Sequence, residues 1–246
     1  RAEALSSKST TLISLSIFTA FFIPLLTSEY IKKIVNLIIA SGLILSVHSL
    51  LSLTTLSKSP YLPVYMQNIG FTPTGNYLTT LILIITATSL IIPRLKNAQS
   101  KEKYLYFSGL FISTISIVAI FSLMLPGGAL SPSLLPYAAS WSIALDALKS
   151  LRSLLFGIGV SNYSLLYTSV KPLSINATNL WNSLPQTGSS ELLTLLPTAG
   201  ITTTLALLFM MLKTLVSSYS TPTFAASLII TLSLLFLPGA LPIYLL

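Results

Sequence analysis

Six stretches of this chain are close to or beyond the ~17–25 apolar residues that a helix needs to cross hydrocarbon. They run over 11–26, 34–56, 77–92, 104–125, 192–212 and 224–245. No other feature constrains the fold as strongly. Inside a bilayer every backbone donor and acceptor must be satisfied within the protein, which leaves helices or closed barrels. A barrel requires alternating strands of about ten residues, and these runs are continuous. The Ser and Thr within them can bond to carbonyls of the preceding turn. The pattern predicts an all-α integral membrane protein with about six transmembrane helices. Four fall in 1–125, a long extracytoplasmic loop covers 126–191, and two more helices occupy 192–246. The first and third runs are short for a span, and Pro24 predicts a kink near the end of the first.

Composition agrees and removes several classes. Charged residues are 7% of the chain, against roughly a quarter in a soluble domain, and the mean hydropathy is +0.85. The net charge of +8 comes from thirteen basic residues scattered over several connections. They form no basic stripe and no aromatic platform, so no nucleic-acid partner is expected. The absence of cysteine excludes disulfides and thiolate chemistry, and one histidine with five acidic residues makes a metal site improbable.

Charge asymmetry orients the bundle. Lys32 and Lys33 fall in the first short connection, Arg94, Lys96, Lys101 and Lys103 in the next alternate one, and Lys213 opens the last. Threading six helices in order puts all of these on one side, the cytoplasmic side by the positive-inside rule. The loops at 57–76 and 126–191 then face outward. Three basic residues, Lys149, Arg152 and Lys171, lie in the long loop, where that rule has little force, and Lys58 lies in the other. The start, Arg1-Ala2-Glu3, has no signal-peptide character, and the chain stops inside an apolar run. Both ends therefore read as cut, with an odd number of earlier spans expected before residue 1.

The outer loop has internal order. Pro126-Gly127-Gly128 ends a helix by turn chemistry. Over 140–151, Trp141, Ile143, Ala144, Leu145, Ala147, Leu148 and Leu151 recur at helical spacing opposite Asp146 and Lys149, which predicts an amphipathic helix on the membrane surface. A glycine turn over 157–163 follows, then a second short helix near 162–168. A stretch rich in Asn, Ser and Pro runs to Gly188, with Trp181 as an interfacial anchor.

These residues carry a resemblance. Ser140-Trp141, then Ala144-Leu145-Asp146-Ala147-Leu148-Lys149, then Phe156-Gly157-Ile158-Gly159 and Asn162-Tyr163 resemble the O-antigen ligase and polymerase-like superfamily of bacterial membrane enzymes. That family has a Trp-bearing surface helix, a G-[VI]-G-x-x-N-[FY] turn and an H-N-x-x-L…G-[LI]-x-G entry into the next span. Here the entry is similar to Ser189-Ser190-Glu191-Leu192-Leu193…Gly200-Ile201, and Phe71-Thr72-Pro73-Thr74-Gly75 also looks like the family. The likeness covers roughly 71–212. It implies transfer of a glycan from an undecaprenyl diphosphate carrier to an acceptor glycan, lipid or protein at the outer face of the bacterial cytoplasmic (inner) membrane. No metal, nucleotide or other cofactor is implied. The chain departs from the pattern twice. Tyr137, Ala138, Ala139 and Ser140 stand where the family carries an Arg, and Ser189 aligns with its His.

Arg152 and Lys149, the basic residues nearest the glycine turn, are the candidates for diphosphate contact, helped by the amides of Gly157 and Gly159 as an anion nest, under a roof formed by Trp141, Asn162 and Tyr163. Two cations on an amphipathic helix equally suit lipid headgroups. Glu191, expected to face outward water, or Ser189 would act near the acceptor; a serine is a poor base without a partner. Glu191 also fits a helix N-terminal carboxylate behind Ser189 or Ser190 as N-cap. His48, placed deep in the second span, reads as interhelical packing or as a proton relay. Asp146 is expected to pair weakly with Lys149. Leu184-Pro185-Gln186-Thr187-Gly188 matches a sortase signal but has two spans after it, and the sequons at Asn162 and Asn176 read as chance matches. Two further readings stand beside the glycosyltransferase: a non-catalytic binder of lipid-linked glycan, and a small-solute transporter, for which no internal repeat is found.

Overall fold

The computed structural model describes residues 28–54, 59, 63–159 and 162–238. Among these, every regular element is helical. They are α1 (Ser28–Ser52), α2 (Tyr77–Asn97), α3 (Ser100–Met124), α4 (Tyr137–Ala147), α5 (Leu151–Phe156), α6 (Tyr163–Val170), α7 (Glu191–Ser218) and α8 (Phe224–Phe236), with single 3-10 turns at Val64–Gln67 and Leu173–Ala177. Helices α1, α2, α3 and α7 are each long and apolar enough to cross a membrane. The run at 11–26 lies outside the described residues. The sixth run is helical over Phe224–Phe236, and its portion beyond 238 also lies outside them.

The helices are longer than their apolar cores suggest, and this corrects the placement of the cations. Lys32 and Lys33 belong to α1, Arg94 and Lys96 to the last turn of α2, Lys101 and Lys103 to the start of α3, and Lys213 to α7. Lys and Arg are good helix formers whose apolar stems can lie along the helix, so a charge need not end one. Only Ala98 and Gln99 separate α2 from α3. His48 is also shifted. It sits one turn from the end of α1, its ring edge-on to Phe71 at 6.0 Å.

Two compact units divide these elements. One holds 28–132 with 218–230. Its α1, α2 and α3 pack through small residues, the means by which helices approach closely where no hydrophobic force drives them together. A Cβ on Gly42 would lie 2.2 Å from that of Ala87, and one on Gly109 would lie 3.1 Å from Leu43. Buried hydroxyls fold back on their own helices, Ser46 to the Gly42 carbonyl (2.8 Å) and Ser49 to that of Leu45 (2.7 Å). Ser46 also reaches Ser113 of α3 at 3.4 Å. Asn76 caps α2 by accepting from the Thr79 amide at 2.7 Å. At the other end of α3, Gly127 turns the chain with φ +84°. The outer faces, including Phe107, Phe111, Val118 and Phe121 of α3, are exposed, as helices in lipid require.

The other unit holds 133–217 with 231–238. Ala139, Ile143 and Ala147 of α4 pack on Tyr163, Leu166 and Tyr167 of α6, with Leu135 and Ile175 closing the core. The surface helix expected over 140–151 is two helices. It begins earlier, at Tyr137, and stops at Ala147, because Ser150 caps α5 by accepting from the Ser153 amide at 3.1 Å. Trp141 and Leu145 do not share the buried stripe; with Tyr137 they form a second, exposed apolar line at i, i+4, i+8.

The close α1–α2 approach generates a prediction. Gly42→Val overpacks the contact with Ala87 and should destabilise the fold by about 1–3 kcal/mol. Ser46→Ala removes one long interhelical bond and should cost less than about 1 kcal/mol. Thermal unfolding in detergent, followed by circular dichroism, separates the two.

Candidate functional site

The segment that carried the resemblance docks into a break in α7. Two helical runs meet at Gly200, whose φ of +81° and ψ of 174° belong to neither. Pro197 has no amide to donate, and the left-handed Gly200 ends the regular ladder. The carbonyls freed there are taken up from outside the helix. The Ile158 amide donates to Pro197 at 3.0 Å and the Gly159 amide to Thr198 at 2.9 Å. The Thr202 hydroxyl returns a bond to the Leu155 carbonyl at 2.7 Å. The approach is close enough to demand glycine on both sides. A Cβ on Gly157 would lie 2.3 Å from the Thr198 carbonyl, and one on Gly200 would lie 2.3 Å from that of Leu155.

This geometry replaces the anion nest expected of the turn. The Gly157 amide closes α5 on the Ser153 carbonyl at 2.9 Å, and the next two amides bond α7. None is left to face a phosphate. Asn162 is a structural latch: its side-chain amide donates to the Ile158 carbonyl at 3.1 Å, which also occupies the nitrogen of that sequon.

Ser189, Glu191 and Tyr163 all lie in the interior. Ser189 is 1% exposed, Glu191 5% and Tyr163 0%. The Ser189 amide donates to the Ser140 hydroxyl at 2.9 Å, and Gly188 lies under the Tyr163 hydroxyl. Ser190 is the N-cap of α7, accepting from the Leu193 amide at 3.2 Å, with Glu191 in the first turn. The Glu191 amide donates to the Leu237 carbonyl at 2.9 Å. The carboxylate expected in outward water is therefore enclosed, because the start of α7 is covered by the end of α8. Ser140, read from sequence only as the start of a helix, is the hub of this cluster. Its partner is forty-nine positions away, and spacing gives no sign of it.

Burial raises the Tyr163 hydroxyl above its ordinary pKa of 10.0; Ser140 partly offsets this and Tyr167 adds to it. Burial likewise raises Tyr167, with Ser183 opposing. The Ser189 hydroxyl is buried with no hydrogen-bond partner among the described residues.

The predicted cations lie outside this cluster. Lys149 pairs with Asp146 at 2.6 Å, as its spacing suggested. Arg152 is exposed on α5 and has no carboxylate partner among the described residues. Leu151, Phe156 and Trp141 are exposed too. A cleft of about 180 Å³, lined by Ser133, Leu135, Leu180, Ser183, Leu184 and Pro185, is smaller than the ~300 Å³ at which ligand pockets begin. The sortase-like Thr187-Gly188 step is closed as well: Gly188 is buried and its amide donates to the Thr194 hydroxyl at 2.9 Å.

Two outcomes follow. Gly200→Ala and Gly157→Ala each combine a strained φ with backbone overlap and should destabilise by at least about 2 kcal/mol. Gly127→Ala, with φ +84° but open space around it, should cost about 1–2 kcal/mol; thermal unfolding ranks the three. The second concerns pH. A raised tyrosine pKa in the folded state gives stability that is complete below pH 10 and lost as pH climbs through the folded value. Tyr163→Phe should therefore move the alkaline unfolding midpoint upward, read by tyrosinate absorbance against circular dichroism.

No family model, curated protein or solved structure matches this chain.

Proposed function

We propose that this chain acts on a lipid-linked glycan at a membrane face, as a divergent relative of the O-antigen ligase-like glycosyltransferases. In this reading it has six spans in a bacterial cytoplasmic membrane, with 126–191 on the outer side. The observation that carries the proposal is Arg152. It is an exposed guanidinium without a carboxylate partner among the described residues, in the short helix leading to the Gly157–Gly159 turn, flanked by exposed Leu151, Leu155 and Phe156. A planar fork suits diphosphate oxygens, and the apolar neighbours suit a polyprenyl chain. Lys149 contributes less, since Asp146 already neutralises it.

Transfer would join an acceptor hydroxyl to the anomeric carbon of the glycan and release the carrier diphosphate. Arg152 would stabilise the charge growing on the leaving group, and Glu191 would take the acceptor proton. The burial of Glu191 and Ser189 favours a second reading, in which the chain binds lipid-linked glycan and transfers nothing.

Membranes loaded with undecaprenyl-diphosphate-linked glycan test both. Arg152→Ala should weaken binding of that lipid about tenfold or more, the effect of losing a charge-assisted bond. Loss of transfer in Glu191→Gln with unchanged protein level supports catalysis. Binding without transfer in the native chain supports the second reading. A native chain that does not bind the lipid would sink both.

A further inference from the structure

We propose that one end of the α1–α2–α3 bundle, formed by Lys32, Lys33, Arg94, Lys96, Lys101 and Lys103, is a binding surface for anionic phospholipid headgroups. This inference needs a bilayer but does not rest on the glycan reading.

The topology gathers these residues. Helices α1, α2 and α3 run up, down and up, so the start of α1, the end of α2 and the start of α3 share one end. A packing layer marks its depth: Val35, Ile38 and Ile39 of α1 meet Leu90 and Ile91 of α2 and Tyr106 and Leu110 of α3. At the edge of that layer the Arg94 guanidinium donates to the Asn36 side-chain carbonyl, tying α2 to α1. The Ala98–Gln99 link keeps Lys96 beside Lys101 and Lys103.

The charge there is unbalanced. Among the described residues of this unit, the carboxylates beside these six cations are Glu29 and Glu102. Glu29 is engaged by Lys33 at 3.0 Å. Among the described residues, Lys96, Lys101 and Lys103 have no carboxylate partner, and all three are exposed. Immediately inside this ring the surface turns apolar, with Ile34 and Leu37 on α1 and Tyr104, Leu105 and Phe107 on α3 all exposed, while Tyr30 and Ile31 share the level of the lysines. A phosphate-bearing head above and acyl chains below satisfy both layers at once. A soluble polyanion would neutralise the cations and leave the apolar collar in water.

Lipid selectivity in reconstituted bilayers provides the test. The full chain is placed in phosphatidylcholine containing spin-labelled phosphatidylglycerol or spin-labelled phosphatidylcholine, and the two boundary-lipid fractions are compared. At low salt the native chain should favour phosphatidylglycerol at least fivefold, since each basic residue near the surface contributes roughly that factor. The preference should shrink at 0.5 M salt, where screening shortens the reach to a few ångströms. The triple variant Lys96→Gln, Lys101→Gln, Lys103→Gln should lose most of it. The matching triple Arg variant should keep it, with helical content unchanged in both. Equal affinity for the two lipids in the native chain overturns the proposal. So does a preference untouched by the Gln variant, one lost equally in the Arg variant, or displacement of the labelled lipid by inorganic phosphate.

Discussion

The break at Gly200 depends on backbone hydrogen bonds supplied from another part of the chain. A carbonyl without a donor costs several kcal/mol in hydrocarbon, so a helix that crosses a membrane can be interrupted only where protein covers the gap. The amides of Ile158 and Gly159 provide that cover for Pro197 and Thr198. The glycine turn, its latch Asn162 and the end of α5 all take their positions from this junction. The order of motifs along the sequence thus reflects one structural joint, with the turn and the entry to α7 as its two halves.

Much of the fold was legible in the chain. Continuous apolar runs marked α1, α2, α3 and α7, the Pro-Gly-Gly step marked the end of α3, and Ser190 was one of two expected caps for α7. Local chemistry decides those features, and local chemistry is what a sequence displays. Helix ends were less legible, since Lys32 and Lys103 extend helices that hydropathy alone would cut short. The surface helix differs from its sequence pattern for another reason. Trp141 and Ile143 are both apolar, yet one faces out and the other enters the core, and periodicity cannot tell two apolar stripes apart.

The arrangement around the candidate residues was much less legible than the residues themselves. Ser189 and Tyr163 meet Ser140 in an enclosed group of hydroxyls, and Glu191 is buried in the first turn of the helix that begins just after it. The decisive contacts join residues some forty or more positions apart: Ser140 with Ser189, Ile158 with Pro197 and Glu191 with Leu237. Each is a backbone or small-hydroxyl contact that leaves no compositional trace. Arg152 is the opposite case. Its surroundings are set by its own helix, and its exposure follows from local pattern.

The two-residue link between α2 and α3 also bears on how the protein enters a membrane. Five charges, Arg94, Lys96, Lys101, Glu102 and Lys103, crowd around that link. Carrying each across a hydrocarbon core costs roughly 2.5–3.5 kcal/mol on insertion scales, while both flanking arms favour lipid. Helix α2 cannot settle first and leave α3 to thread later through a long tether, because no tether exists. In a bilayer the two arms are therefore one hairpin whose charged tip stays in water, and the orientation of one arm dictates that of the other.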